Sequence, residues 1–215
     1  MDNLIQTLAI YAIPVIFAIT LHEAAHGYVA RMFGDPTAAL MGRITLNPVK
    51  HVDPVGTVLV PAMLLFVSKG AFLFGWAKPV PVDFSRLRKP KQDMLWVAAA
   101  GPGSNLLMAL GWAAMLKMAV TMPENAYSLP LAEMARAGIN VNAVLMLLNL
   151  LPLPPLDGGR IAVSLLPHPL AWRFAQMERF GFVILLALMF LGGLDLILTP
   201  LLRSFLFFIK NLFGF

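Results

Sequence analysis

Long apolar segments alternate with short basic stretches along this chain. The apolar segments cover residues 4–32, 55–75, 94–120, 139–152 and 180–202, and an aromatic tail, LLRSFLFFIKNLFGF, follows them. About 20 apolar residues are enough to cross a bilayer as a helix, in which the backbone polar groups pair within the segment. The pattern therefore predicts an all-α polytopic membrane protein with about five to six transmembrane helices, the tail supplying the sixth.

The segment that starts at residue 55 does not fit a simple span. Pro61 interrupts it, SKG breaks it at residues 68–70, and FLFGWAKPVPVD then has an extended character. Basic residues precede it at Arg31, Arg43 and Lys50, and five more lie between residues 78 and 91. This bias on both flanks is typical of a cytoplasmic side. We therefore expect a re-entrant element near residues 55–82, a short helix going in and an extended strand coming back.

Charge also sets the expected orientation. The stretch 121–138 holds one arginine and two glutamates, as expected of an outer loop, whereas three arginines place the 153–179 connection inside. The N-terminus is then external. The first apolar run has no basic n-region and no small-residue cleavage site, so we expect it to remain as a span rather than to be removed as a signal peptide.

Composition narrows the class further. Hydrophobic residues make up 59% of the 215 residues and charged residues 13%, against about 25% charged residues in soluble domains. The net charge of +5 is explained by cytoplasmic loops, so no nucleic-acid partner is expected. Cysteine is absent, and any metal must therefore be bound by histidine and carboxylate side chains.

The stretch LHEAAHG at residues 21–27 carries the chemistry. His22 and His26 are four residues apart, so a helix turns both imidazoles to one side, and Glu23 lies beside them. This is the HExxH arrangement of zinc hydrolases. Ionisable side chains near a bilayer centre cost about 2.5 to 3.5 kcal/mol each, which favours a functional role. The alternative is a polar helix end packed against its neighbours.

A catalytic zinc site typically has three protein ligands. We expect Asp157, in NLLPLPPLDGGR, as the third ligand, because Gly158 and Gly159 permit a close turn that brings the carboxylate back into the bundle. The alternative for Asp157 is an ordinary helix N-cap. Rival ligands are His51 and Asp53, whose surroundings are typical of turns, and His168 is the remaining histidine.

HEAAH and LDGG resemble the two signatures of the site-2 protease family of intramembrane zinc metalloproteases. The resemblance extends through GRITLNP, HVDPVGT, FGWAKPVPVD and AAAGPGSN, over residues 20–165, and points to the short bacterial branch without PDZ or CBS modules. It implies one Zn²⁺ per chain, bound by His22, His26 and Asp157, with Glu23 as general base. It also implies a role for Asn149 in supporting the substrate or the transition state.

Two side chains and one segment keep alternatives open. Asn149 is also explained by a helix-packing hydrogen bond. Asn105, a second candidate for substrate support, follows Gly101 and Gly103, so close helix packing is an equal alternative. The FGWAKPVPV stretch is either an edge that pairs with an unwound substrate or a plug that fills the bundle.

The residues and the resemblance together predict a zinc-dependent endopeptidase that cleaves membrane-spanning protein substrates, and the resemblance implies that it does so in a bacterial plasma membrane. We expect a single domain over residues 1–215, with a catalytic core over 4–165 and C-terminal membrane helices over 180–215. At 1.5 Å per residue, His22 and His26 lie roughly 8 to 14 Å from the cytoplasmic end of the first span, which places the site toward the cytoplasm. The alternatives are a membrane metal transporter and a non-catalytic relative that binds membrane segments.

Overall fold

The computed structural model describes residues 2–67 and 75–215, and the regular structure of these residues is helical. The α-helices, in chain order, are α1 (Asp2–Met32), α2 (Thr37–Leu40), α3 (Val60–Val67), α4 (Pro90–Thr121), α5 (Ser128–Asn149), α6 (Asp157–Leu165), α7 (His168–Ala175), α8 (Glu178–Phe190) and α9 (Gly193–Phe213). Short 3₁₀ turns lie at Pro48–His51 and Phe84–Arg86, and a π-helical turn at Pro54–Leu59 leads into α3.

Four of the described helices are long and apolar enough to cross a membrane: α1 from residue 5 onward, α4, α5 and α9. The prediction of an all-α polytopic membrane fold is confirmed. The segment expected to span at residues 180–202 is instead two helices, because the chain turns at Gly192, whose φ is +73°. α8 has 13 residues, fewer than the roughly 17 that a span needs, and the aromatic tail belongs to the 21-residue α9.

Helix α4 is the centre of the bundle and contacts α1, α5, α6 and α9. Small residues permit the close packing: Ala109 and Ala113 on α4 and Ala135 on α5 are fully buried. Gly138 on α5 lies directly against the ring of Trp112, and a Cβ at residue 138 would be 2.3 Å from the nearest ring atom. Lipid gives no hydrophobic advantage to helix contact, so such steric fit stabilises the bundle.

The outer loop is shorter than the sequence predicts. We expected it at residues 121–138, but α5 begins at Ser128, so that only residues 122–127 connect α4 and α5. On one face of the first turns of α5, Ala132 and Ala135 are buried in a cluster with Ile209 of α9. On the outer face of these turns, Glu133 and Arg136 form an ion pair of 3.3 Å. Because oppositely charged residues three apart stabilise a helix, these polar residues are compatible with α5.

The predicted re-entrant element is described only in part, since residues 68–74, where its turn falls, lie outside the described residues. Its first arm is helical, from Pro54 through Val67. Its second arm, residues 75–83, was expected as an extended strand but has no regular secondary structure. Pro79 and Pro81 have no N–H to donate, which removes alternate donors of a strand ladder.

Side chains hold this second arm instead. The buried Arg43 donates from one guanidinium nitrogen to the carbonyls of Lys78 (2.8 Å) and Pro79 (3.3 Å). The fully buried carboxylate of Asp35 accepts from the Asp83 N–H at 2.7 Å. Arg43 and Asp35 thus hold the second arm in place between α1 and α4. There it passes the turn of α1 that contains His22, Glu23 and His26.

Candidate metal centre

The two histidines of α1 present their ring nitrogens at one point. His22 and His26 are one turn apart, and their Nε2 atoms are 3.1 Å from each other. Both side chains are nearly enclosed, with exposed fractions of 10% and 12%. Small residues make this possible, because Ala24 is buried and Gly27 packs against Ala38, Val80 and Ile44 at 3.0 to 3.1 Å from where its Cβ would be.

Asp157 reaches the same point from the first turn of α6. Its Oδ2 lies 3.2 Å from the Nε2 of His22 and 3.3 Å from the Nε2 of His26. The helix N-cap is Leu156 rather than Asp157, so the N-cap alternative for this aspartate is wrong. The glycines that follow are sterically required: a Cβ on Gly158 would lie 2.3 Å from the Leu151 carbonyl oxygen, and one on Gly159 would lie 2.4 Å from the Pro154 nitrogen.

Hydrogen bonds at the other ring nitrogen orient each imidazole. The Nδ1 of His26 is 2.7 Å from the carbonyl oxygen of Val97, and the Nδ1 of His22 is 2.6 Å from the Oδ1 of Asn105. A carbonyl or amide oxygen can only accept, so each Nδ1 carries the proton. Both Nε2 atoms are then left with lone pairs directed at the shared point.

When both imidazoles are neutral, three acceptors therefore face one another without a hydrogen between them. The Oδ2 of Asp157 is buried and has no hydrogen-bond partner, and it is the group on which both Nε2 atoms converge. Lone pairs in this arrangement repel unless a cation lies between them. Tetrahedral zinc with ligand bonds of 2.0 to 2.2 Å requires ligand atoms about 3.3 to 3.6 Å apart, close to the observed 3.1 to 3.3 Å. The residues fit a zinc ion.

Space for the ion is left by a glycine on α4. A Cβ at Gly101 would lie 2.4 Å from the Nε2 of His26 and 2.6 Å from the Nε2 of His22. Any other residue would press a side chain against both donor atoms. The sequence indicated that Gly101 serves close helix approach, and the structure gives the partners of that approach as the two imidazoles.

Glu23 lies between the two histidines in sequence and is half-buried. Its Oε2 accepts a hydrogen bond of 2.8 Å from the backbone N–H of Val80, in the second arm of the re-entrant element. The carboxylate is therefore held by the segment that the sequence placed beside the site. A backbone N–H keeps its proton, so this contact fixes the side chain without neutralising it.

The rival ligands are used elsewhere. His51 is buried, and its Nε2 is 3.0 Å from the Thr45 carbonyl oxygen. Asp53 caps the π-helical turn by accepting from the N–H groups of Val55 and Gly56, and His168 is exposed at the start of α7. One metal ion could be bound by three or more His, Cys, Asp or Glu side chains that lie close enough together. Among the described residues, 2–67 and 75–215, His22, His26 and Asp157 form such a group.

The two candidate asparagines differ in placement. Asn149 is half-buried at the end of α5, and its Nδ2 donates to the carbonyl of Leu145 one turn earlier. Asn105 is fully buried and contacts His22, as described above. The sequence reasoning missed Asn142, which is also fully buried and bonds to Asn105 at 2.9 Å. The signal was an amide in an apolar segment, seven residues before Asn149 and thus on the same helical face.

A metal-ligand cluster of two histidines and an aspartate, buried between membrane helices beside a glutamate, defines the class as a membrane metalloprotein with the ligand types of a zinc hydrolase. The model of peptidase family M50 matches residues 10–191. The chain therefore belongs to peptidase family M50, and it is a multi-pass membrane zinc metalloprotease by class.

Curated relatives carry matching names. The chain is 41% identical over 195 residues to "Putative zinc metalloprotease YwhC" of Bacillus subtilis, an alignment that covers 89% of this chain and 85% of the relative. Relatives with the name Rip2 are 27% identical in Mycolicibacterium smegmatis and 33% identical in Mycobacterium tuberculosis H37Rv. These alignments cover 84% and 80% of this chain, but only 66% and 63% of the relatives. No solved structure matches significantly.

Proposed function

We propose that this protein is an intramembrane endopeptidase that hydrolyses peptide bonds in or near the transmembrane segments of other membrane proteins, as a step of regulated intramembrane proteolysis. His22, His26 and Asp157 bind one Zn²⁺, and Glu23 is the general base. The observation that carries the proposal is the convergence of two imidazole nitrogens and one carboxylate oxygen, 3.1 to 3.3 Å apart, inside a bundle of apolar helices.

Zinc and the side chains of the protein have different roles in the proposed reaction. Zinc, when bound, is the Lewis acid that polarises the scissile carbonyl and makes water acidic enough to lose a proton near neutral pH. Glu23 takes that proton and later returns it to the leaving amine. The Val80 N–H occupies one carboxylate oxygen of Glu23, which limits rotation of the side chain while the other oxygen remains able to accept a proton. Asn149 supports the substrate from the end of α5.

Water must reach the site for hydrolysis to occur. His22 and His26 lie in the last third of α1, and the basic residues that follow this helix favour a cytoplasmic location for its end. We infer that water enters from the cytoplasm and that cleavage occurs in the cytoplasmic third of a bacterial plasma membrane. Mass spectrometry of the cleavage products checks this, and new termini on the external side of the substrate would contradict it.

The decisive experiment compares Glu23→Gln with wild type on a membrane protein substrate in proteoliposomes, with zinc quantified on the same samples. We expect Glu23→Gln to lose cleavage and to keep about one zinc per chain. Glu133→Gln is the matched control, because this glutamate is 41% exposed on α5 and pairs only with Arg136 among the contacts described for it. It should retain both properties.

The ligand assignment has its own test. His22→Ala, His26→Ala and Asp157→Ala should each lower the zinc content and cleavage together. A full zinc complement in Asp157→Ala would remove the third ligand. Cleavage that persists in Glu23→Gln would exclude the general-base role, and zinc flux into the same liposomes would favour a transporter.

A further inference from the structure

The imidazole of His22 is the end of a chain of buried amides that crosses the bundle. Asn105 on α4 accepts from the Nδ1 of His22 at 2.6 Å. The Nδ2 of Asn105 donates to the Oδ1 of Asn142 on α5 at 2.9 Å and to the Ala18 carbonyl at 3.2 Å. The Nδ2 of Asn142 donates to the Gly138 carbonyl at 2.8 Å. Both asparagines are fully buried.

The direction of this chain is fixed by its ends. The carbonyl oxygens of Gly138 and Ala18 can only accept, so the NH₂ groups of both asparagines must face them. The Oδ1 of Asn105 then faces His22, whose Nδ1 must carry the proton. The Nε2 of His22 is thereby left unprotonated toward Asp157, which is the form that binds a metal.

His22 needs a second amide, that of Asn142, whereas His26 does not. The Nδ1 of His26 donates to the backbone carbonyl of Val97, which cannot exchange an acceptor for a donor. A side-chain amide can rotate by 180° and present NH₂ instead of oxygen. An Asn105 without Asn142 would have only the 3.2 Å contact to Ala18 to hold its orientation. This requirement gives a reason for the cost of burying Asn142 in an apolar helix.

We propose that Asn105 and Asn142 are positioning residues for the metal centre. Asn105 holds the ring of His22 in the Nδ1–H tautomer, and Asn142 holds the amide of Asn105 in the orientation that this requires. Zinc affinity therefore depends on a residue of α5 that touches neither the metal ligands nor the substrate. The inference rests on the proposed function in one respect, the assignment of His22 as a zinc ligand.

Zinc affinity of the full chain in detergent is the first measurement, by competition with a chelator. Loss of a residue that supports a histidine ligand typically weakens metal binding about 10- to 100-fold. We expect Asn105→Leu to fall in this range and Asn142→Leu to reach about tenfold, its lower end. Asn211→Leu is the matched control, because Asn211 also donates to a carbonyl one turn earlier but is exposed on α9. Its zinc affinity should not change.

Nitrogen NMR of the metal-depleted full chain separates positioning from packing. The chain has four histidines, so ¹⁵N-histidine labelling yields eight ring nitrogens. In the neutral imidazole signals we expect protonated Nδ1 atoms in both His22 and His26. Asn105→Leu and Asn142→Leu should move His22 toward the Nε2–H tautomer and leave His26 unchanged. Asn105→Asp retains an acceptor for Nδ1 and should keep His22 in the Nδ1–H tautomer. Its second oxygen replaces the Nδ2 donor that faces the Oδ1 of Asn142 and the Ala18 carbonyl, so its thermal stability should fall.

Each outcome decides one question. An unchanged His22 tautomer in both leucine variants, or lower thermal stability with unaltered zinc affinity, would overturn the positioning role and leave helix packing. His22→Ala distinguishes this from failure of the proposed function. If His22→Ala loses zinc while the leucine variants retain full affinity, only the positioning role fails; if His22→Ala retains full zinc affinity, the ligand assignment fails.

Discussion

Gly101→Ala tests the metal centre with a single methyl group. The added Cβ would lie 2.4 Å from the Nε2 of His26 and 2.6 Å from the Nε2 of His22. Non-bonded heavy atoms normally approach to about 3.5 Å, so each imidazole must move by about 1 Å. The displacement falls on the two atoms that converge with Asp157, and it must enlarge or shift their 3.1 to 3.3 Å triangle.

The expected magnitude has two opposing parts. Extra volume in a well-packed interior costs about 1 to 3 kcal/mol, whereas replacing glycine by alanine inside a helix stabilises it by about 0.5 to 1 kcal/mol. The net loss of stability is therefore at most about 2.5 kcal/mol, and the fold should survive. Zinc affinity is more sensitive, because both donors are displaced, and we expect it to weaken by at least the roughly 100-fold upper value for a lost supporting residue.

Gly103→Ala is the matched control on the same helix. A Cβ at residue 103 meets no atom within 4 Å. The variant should therefore be slightly more stable than wild type, because alanine favours a helix more than glycine does, and it should keep its zinc affinity. The assay is chelator competition on both purified variants, with thermal unfolding followed in the same detergent. Equal zinc affinity in Gly101→Ala, Gly103→Ala and wild type would refute the assignment of this glycine as the space beside the donors.

Three further predictions concern the supports of the site. Gly181→Ala should lower both stability and zinc affinity, because its Cβ would lie 1.7 Å from the Pro154 carbonyl oxygen in the loop before Asp157; chelator competition would contradict this if the affinity were unchanged. Asp35→Ala should cost about 3 kcal/mol or more, since its buried carboxylate accepts from Thr37 and from the Asp83 N–H; unfolding in denaturant measures it, and Asp35→Asn should lose less. Chelation should abolish cleavage and added zinc should restore it, whereas activity that survives zinc removal would exclude a metalloprotease mechanism.

Local patterns in the sequence predict most of the membrane helices and the spacing of the two histidines. Apolar segments of membrane length predict helices because each span must pair its own backbone groups, and α1, α4 and α5 lie where such segments are. The spacing of His22 and His26 is likewise local, since four residues return a helix to the same face. The break at Gly192 was missed, because mean hydropathy does not register a left-handed turn in an apolar segment.

Tertiary structure decided which polar groups meet. Local sequence favours Asp157 over Asp53 through the glycines that follow it, but packing is what brings one carboxylate to the histidines and leaves the other capping a turn. The hydrogen bond between His22 and Asn105 joins residues 83 positions apart, and that between Glu23 and Val80 joins residues 57 apart. Such pairs depend on how close two helices approach and on which side chains leave room, as Gly101 does. A single sequence gives the residue types, whereas packing sets the distances on which metal binding depends.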